Sequence, residues 1–311
     1  MEGGFPCYGL FSSLDVTFNI IATTFYGLSS IIAAAGNTFC LIVLWQPSQR
    51  SKSNKILTSL ALSDCLVGYV CLPLVIWLMN TSDITSVRCR VEKVYSVLTL
   101  WMGGSSLCSV VFLAYERYLH IARANRHYHN LTNRKVNLIM ILYWSMAFMV
   151  SLASTYDASV YMFFGICNTV TSVIFMIVSY FYIWDAVRQS RRRIAANIGG
   201  QQQVGYYIRC TKNVLIIILC YLIACLPTLI FIILLLIGGA NPSLFSENLK
   251  VITPVVVTYI ALSNSCTNPF LYVWKDPNFK AGCKTILRRR TRIDLPPRGS
   301  ISNARQHTST F

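Results

Sequence analysis

Acidic side chains are scarce in this chain: 11 Asp and Glu among 311 residues, against 27 Lys and Arg. Charge of both signs makes up only 12% of the sequence, about half of what an average soluble domain carries. That excludes an ordinary solvated globule. Histidine is scarce too, and His120, His127, His129 and His307 show no metal-ligand spacing and read as solvated residues at or beyond the ends of the long apolar runs. No glycine-rich phosphate loop is present, and no nucleophile, base and orienting group come together in a recognisable order, so covalent catalysis is not expected. Long loops and internal repeats are missing, which excludes a second domain. The first 17 residues lack a basic start and contain Asp15. A cleaved signal peptide is therefore not expected, and the first apolar run is expected to serve as its own insertion signal.

What is abundant is apolar sequence, 54% of all residues. Seven stretches can be marked off at roughly 18–45, 56–79, 94–121, 136–155, 159–184, 214–237 and 251–274. Each is near or above the ~20 residues that cross ~30 Å of hydrocarbon. The fourth and fifth are nearly continuous, with only Tyr156, Asp157 and Ala158 to separate them, and read as two helices joined by a very tight turn. Residues 1–17 form an N-terminal segment, 18–274 the membrane domain, and 275–311 a short amphipathic helix with a basic tail.

Lysine and arginine set the orientation. With the N-terminus outside, 23 of the 27 basic residues fall on cytoplasmic segments, leaving Arg88, Arg90, Lys93 and Lys250 outside. The positive-inside rule therefore places the N-terminus outside the cell and the C-terminus within. The net charge of +16 then belongs to a face turned towards anionic lipid. Nucleic acid is not expected as a partner, because the basic residues sit in short loops beside spans.

Twelve cysteines do not make a disulfide scaffold. Eight fall within spans, where cysteine packs as a small apolar residue. Cys210 and Cys283 lie on the reducing side, so only Cys7 and Cys89 can oxidise. They form one bridge or stay as free thiols. Asn80, Thr81 and Ser82 form a glycosylation sequon on the same outer face.

Asp64 is the acidic residue set deepest in an apolar run. A carboxylate in hydrocarbon costs several kcal/mol, so it is expected to face the bundle interior with polar partners. Around it, local signatures fall in register with the spans: Gly36 and Asn37 in the first, Leu62, Ser63 and Asp64 in the second, and Glu116, Arg117 and Tyr118 closing the third. Trp144 lies in the fourth, Pro227 in the sixth, and Asn268, Pro269, Phe270, Leu271 and Tyr272 close the seventh. The chain resembles a rhodopsin-like (class A) G-protein-coupled receptor over nearly its whole length. The resemblance implies an all-α integral membrane protein, a seven-helix bundle with a short amphipathic helix after the last span. It also implies a plasma-membrane receptor that turns extracellular ligand binding into activation of a heterotrimeric G protein.

Residue by residue, the resemblance assigns the activation machinery to Glu116, Arg117, Tyr118, Pro227, Asn268, Pro269 and Tyr272. Arg117 beside Glu116 reads as a latch whose ion pair can be exchanged, against a plain arginine snorkelling at the membrane edge. It implies an allosteric sodium ion held by Asp64, Ser106, Asn264, Ser265 and Asn268; the alternative is a cation-free hydrogen-bonded cluster. Glu92, Ser96, Thr99, Thr228 and Thr258 are the candidate ligand-pocket residues. Cys283 is a candidate for palmitoylation. Arrestin and receptor kinase are the expected partners of the hydroxyl-bearing tail, and the ending at Ser309 and Phe311 fits a PDZ domain.

Departures from the family pattern narrow the subgroup. Cys225 stands where a tryptophan usually precedes the sixth-span proline, and the fifth span has no proline. Glu92 replaces the usual cysteine at the top of the third span. These features, with the minimal fourth-to-fifth connection, are similar to the melanocortin, cannabinoid, lysolipid and adenosine receptors. Tyr128, His129 and Asn130, with Tyr156 to Ser159, are melanocortin-like, but Leu74 and Ser96 replace two of that group's three calcium-binding acids. Thr99 occupies the position of the aspartate that binds biogenic amines, which points to a peptide or lipid ligand instead. Leu262 replaces the retinal lysine, which excludes an opsin. A seven-helix transporter is the competing class; it would need several deeply buried charges, and Asp64 is the one expected.

Overall fold

The computed structural model describes residues 14–47, 51–81, 86–122, 131–153, 155, 158–196, 215–216, 219–223, 225–227, 229–230, 247–275 and 279–286. Among the described residues the secondary structure is helical, with no strand. The first span is Val16–Leu44, the second Lys52–Asn80, the third Ser86–Ala122, the fourth Asn133–Ala153, the fifth Ala158–Ala196 and the seventh Glu247–Lys275. The described residues of the sixth are all helical. Five of these helices are long and apolar enough to cross a membrane by length and composition.

Local chemistry starts the helices where the apolar runs begin. The Asp15 carboxylate accepts from the backbone N–H of Thr17 at 3.0 Å and of Phe18 at 3.3 Å, satisfying donors the first turn leaves open. Ser51 does the same for Asn54 at 3.1 Å, and Thr132 for Lys135 at 3.3 Å. Two ends run past the expected limits. The third helix begins at Ser86 rather than near 94, and the fifth continues to Ala196 rather than stopping near 184. Both extensions are polar, so hydropathy did not find them; helix geometry simply propagates beyond the apolar stretch.

The third span is the hub. It packs on the second, fourth and fifth, while the first packs on the second and seventh. Two apolar cores result. One joins Tyr26, Leu72, Val75, Leu78, Met102 and Val255; the other joins Val43, Ile56, Leu60, Leu113, Met176 and Phe279. The fourth helix is peripheral, with only Val136 and Ser151 fully buried among its described residues. Residues 279–286 turn back onto the bundle: Phe279 is buried against Phe39, and Gln46 donates to the Gly282 carbonyl at 3.3 Å.

Pro73 interrupts the second span, and the helix answers with a π-turn over Val67–Cys71, in which the Leu72 N–H reaches the Val67 carbonyl. A proline inside a helix removes one donor and crowds the carbonyl four residues back; a π-turn absorbs that crowding. Gly68 sits in this turn and lets two backbones meet. A Cβ there would lie 2.5 Å from the Ala34 nitrogen. Ser30 also donates to the Gly68 carbonyl at 2.8 Å. Small-residue approach of this kind holds membrane helices together. Gly36 plays a similar part against Pro269, 2.9 Å from where its Cβ would stand.

One expectation is corrected. Asp64 is fully buried, but it is not alone: Glu116, Glu92 and Arg88 are also buried. All three lie towards the ends of the long third helix. Asp64 remains the charge at mid-span, but buried charge is not confined to it.

Gly68→Ala is expected to lower the melting temperature of detergent-purified protein, since overpacking costs about 1–3 kcal/mol. Gly27→Ala, with nothing within 4 Å of its Cβ, is the control and should not. Equal melting of both variants would refute the close-approach reading.

Candidate functional site

The centre of the bundle is built around Asp64. Ser106 Oγ of the third span donates to its Oδ1 at 3.2 Å, and Ser265 Oγ of the seventh donates to the same oxygen at 2.9 Å. Asn268 Nδ2 donates to Oδ2 at 2.5 Å. Three helices thus converge on one carboxylate, which keeps its hydrogen bonds without water. Asn264 is buried nearby but turned to its own helix, its Oδ1 accepting from Thr267 at 3.3 Å. Of the expected set, Ser106, Ser265 and Asn268 therefore reach Asp64 and Asn264 does not.

The donor set suits a hard monovalent cation. Ser106 and Ser265 face the carboxylate with hydroxyl oxygens, which suit a hard cation; Asn268 faces it with its amide nitrogen, while its buried Oδ1 has no hydrogen-bond partner. A sodium ion would find in that carbonyl a ligand that is otherwise unsatisfied. The residues fit the ion.

Tyr221 of the sixth span was missed by sequence reasoning. Its ring is buried and its hydroxyl meets Ser106 Oγ. A tyrosine in an apolar span carries no signal that separates it from a packing residue. A second network was missed for the same reason. Trp144 Nε1 donates to Ser59 Oγ at 2.8 Å, and the Tyr143 hydroxyl lies 2.7 Å from Ser59 and 2.9 Å from Ser109. It ties the second, third and fourth spans below Asp64. Asn37 adds the first to the seventh, donating to the Ser265 carbonyl at 2.9 Å.

At the far end of the third span, Arg117 Nε lies 3.3 Å from Glu116 Oε2. The Nε–H is not aligned for a hydrogen bond, and neither oxygen of the buried Glu116 accepts one. This is an ion pair held by proximity alone, the kind that a better partner can break. Tyr118 packs on Tyr182 of the fifth span, with ring centroids 5.7 Å apart. The Tyr272 side chain lies outside the described residues. Pro227 is half-buried and Pro269 buried, both within helix.

At the opposite end, Glu92, Ser96 and Thr99 share one face of the third helix. Glu92 and Ser96 are buried. Ser96 Oγ donates to the Glu92 carbonyl at 2.9 Å and Thr99 Oγ1 to the Tyr95 carbonyl at 2.8 Å. Both hydroxyl protons are spent within the helix. Thr258 is half-buried on the seventh span, and Thr228 lies outside the described residues. Cys89 is disulfide-bonded; Cys7, the partner the sequence offers, lies outside the described residues. Asn80 ends the second span with its amide donating to the Ile76 carbonyl at 2.8 Å and Thr23 at 3.2 Å. Cys283 is half-buried against the apolar core, and burial pushes its thiol up from the ordinary value.

The bundle thus has helices converging on a buried carboxylate at its centre and an ion pair at one end of its third helix. The sequence model of the 7 transmembrane receptor (rhodopsin family) matches residues 36–157 and 152–272, and the chain belongs to that family. It is a cell-surface G-protein-coupled receptor, with an extracellular ligand and a heterotrimeric G protein as partners, and its family is one of receptors rather than enzymes. The transporter reading falls here. Among similar proteins, the adenosine receptor A3 of Ovis aries is 23% identical over 292 residues, covering 84% of this chain and 87% of the relative. The QRFP-like peptide receptor of Branchiostoma floridae is 24% identical over 307 residues, 87% and 78% of the two chains. Lysophosphatidic acid receptor 1-A of Xenopus laevis is 24% identical over 221 residues, 64% and 58%. Adenosine and lysolipid receptors, two of the groups indicated by the missing motifs, are both represented.

Proposed function

We propose that this receptor sits in the plasma membrane with its N-terminus outside, and answers a peptide or lipid ligand by loosening the Asp64 cluster and releasing Arg117. The observation that carries the mechanism is the geometry at Asp64: groups from the second, third and seventh spans share one carboxylate, so none of them can shift without breaking a buried hydrogen bond. A ligand acts only by binding the shifted arrangement more tightly than the resting one. Support for the ligand class comes from Thr99, which lacks the charge an amine needs, and from relatives named for peptide and lysophosphatidic acid. The adenosine relative adds a nucleoside as the second reading. The melanocortin-like residues 128–130 and 156–159 favour a peptide, although Leu74 and Ser96 leave no acidic trio for calcium.

At the cytoplasmic end, Arg117 exchanges Glu116 for the G protein. Arg117→Ala is expected to abolish activation of every Gα class while leaving surface expression at the wild-type level, read by G-protein dissociation in transfected cells. Retained activation in that variant would sink the latch.

Asp64, Ser106, Ser265 and the free Asn268 oxygen would hold a sodium ion. Bound there, the ion supplies positive charge that draws the three helices together and favours the resting arrangement. Asp64→Asn is then expected to remove the sodium dependence of thermal stability in purified receptor, compared against a bulky organic cation at equal ionic strength. Melting that responds to sodium equally in both proteins rejects the site.

The tail completes the reading. Residues 279–286 lie along the inner leaflet with Cys283 as the acylation site, although its raised pKa leaves little thiolate for attack. The hydroxyls beyond Pro297 serve receptor kinase and arrestin, and Ser309 with Phe311 serves a PDZ domain. Truncation after Arg292 should leave G-protein activation intact and slow agonist-driven internalisation; an unchanged internalisation rate argues against this role. Cys7 is proposed as the partner of Cys89. Asn80, with its amide engaged within the helix end, is proposed to be poorly glycosylated.

A further inference from the structure

We propose that Tyr221 is a hydrogen-bonded latch that ties the sixth helix to the Asp64 cluster and restrains signalling in the absence of ligand. The inference rests on the assignment of the chain as a G-protein-coupled receptor and adds a residue that sets its resting state.

Proton counting fixes the direction of the contact. Ser106 has one hydroxyl proton, and it goes to Asp64 Oδ1. The bond between Ser106 and Tyr221 must therefore use the tyrosine proton, with Ser106 Oγ accepting. The result is a directed chain from the Tyr221 phenol through Ser106 to the carboxylate. Donor chains that end on an acceptor polarise one another and are stronger than isolated bonds. Both residues are buried, so in this arrangement water does not compete for the bond.

Position makes this contact a switch rather than a fastening. Tyr221 lies six residues before Pro227, on the Arg117 side of the point where proline frees the helix from a backbone hydrogen bond. A hinge at Pro227 carries the Tyr221 half of the helix with it. Opening a cleft beside Arg117 thus separates Tyr221 from Ser106, and the energy of that bond opposes opening. The chain needs such a device. Tyr207, Arg209 and Lys212 stand near the start of the sixth span, so no carboxylate there can hold Arg117. Ligand-free signalling is expected on that ground, and Tyr221 limits its extent.

Tyr221→Phe, Ser106→Ala and the double variant are compared for ligand-free G-protein dissociation across all Gα classes, normalised to surface receptor. Phenylalanine keeps the ring and removes only the hydroxyl, so a merely packing role leaves it silent. Each single variant is expected to raise basal signalling about three- to tenfold, the worth of one buried hydrogen bond, and the double variant no further than the larger single. Wild-type signalling in Tyr221→Phe, or single effects that multiply in the double, overturns the latch. Melting of the same purified proteins gives an independent reading: Tyr221→Phe and Ser106→Ala should each melt lower, and non-additively. Should no Gα class respond to any variant, the coupling assignment fails on its own, and equal melting of wild type and Tyr221→Phe still decides against the latch.

Discussion

A single buried carboxylate organises this molecule. Asp64 is fully buried, and a charge taken out of water costs several kcal/mol unless it is met by hydrogen bonds of good geometry. Ser106, Ser265 and Asn268 meet it from two other helices. The cost of leaving it unmet is what makes the register of the second, third and seventh spans a matter of energy rather than of loose packing. Apolar contacts alone could not do this, because lipid tails are as apolar as leucine and offer no driving force between helices.

Close backbone contact supplies the other half of the architecture. Where Gly68 meets Ala34 and Gly36 meets Pro269, the helices approach nearer than any larger residue permits. These contacts put the first span against the second and seventh, which in turn brings Asn37 to the Ser265 carbonyl. Polar and steric devices therefore reinforce each other at one level of the bundle. The π-turn ahead of Pro73 belongs to the same arrangement, since it turns the Gly68 carbonyl to where Ser30 can donate to it.

The two ends of the third helix contrast with its centre. The Asp64 carboxylate accepts three hydrogen bonds, whereas among the described residues the Glu116 carboxylate has only a neighbouring guanidinium, close but misaligned. A receptor needs both kinds of contact. The centre holds one arrangement against thermal motion, and under the proposed mechanism the end would surrender its partner to a G protein. Tyr221 lies between these regimes, bonded to the centre but carried on the part of the sixth helix that a hinge at Pro227 would move.

Seven apolar runs, the bias of lysine and arginine, and motifs such as Asp64, Arg117 and Pro269 made the class of protein legible in the sequence, because membrane insertion is written in hydropathy and charge. The demand that Asp64 find polar partners was equally legible, and three of the four expected partners are in place. Tertiary structure decided what periodicity does not encode. It turned Asn264 towards its own helix, spent the hydroxyls of Ser96 and Thr99 on local carbonyls, and buried Arg88, Glu92 and Glu116 near the two ends of the third helix. It also brought Tyr143 to Ser59 and Tyr221 to Ser106. A tyrosine in an apolar run reads as bulk until another helix supplies the oxygen within reach of its hydroxyl. That depends on how far each helix is rotated about its axis, which is set only when all of them pack together.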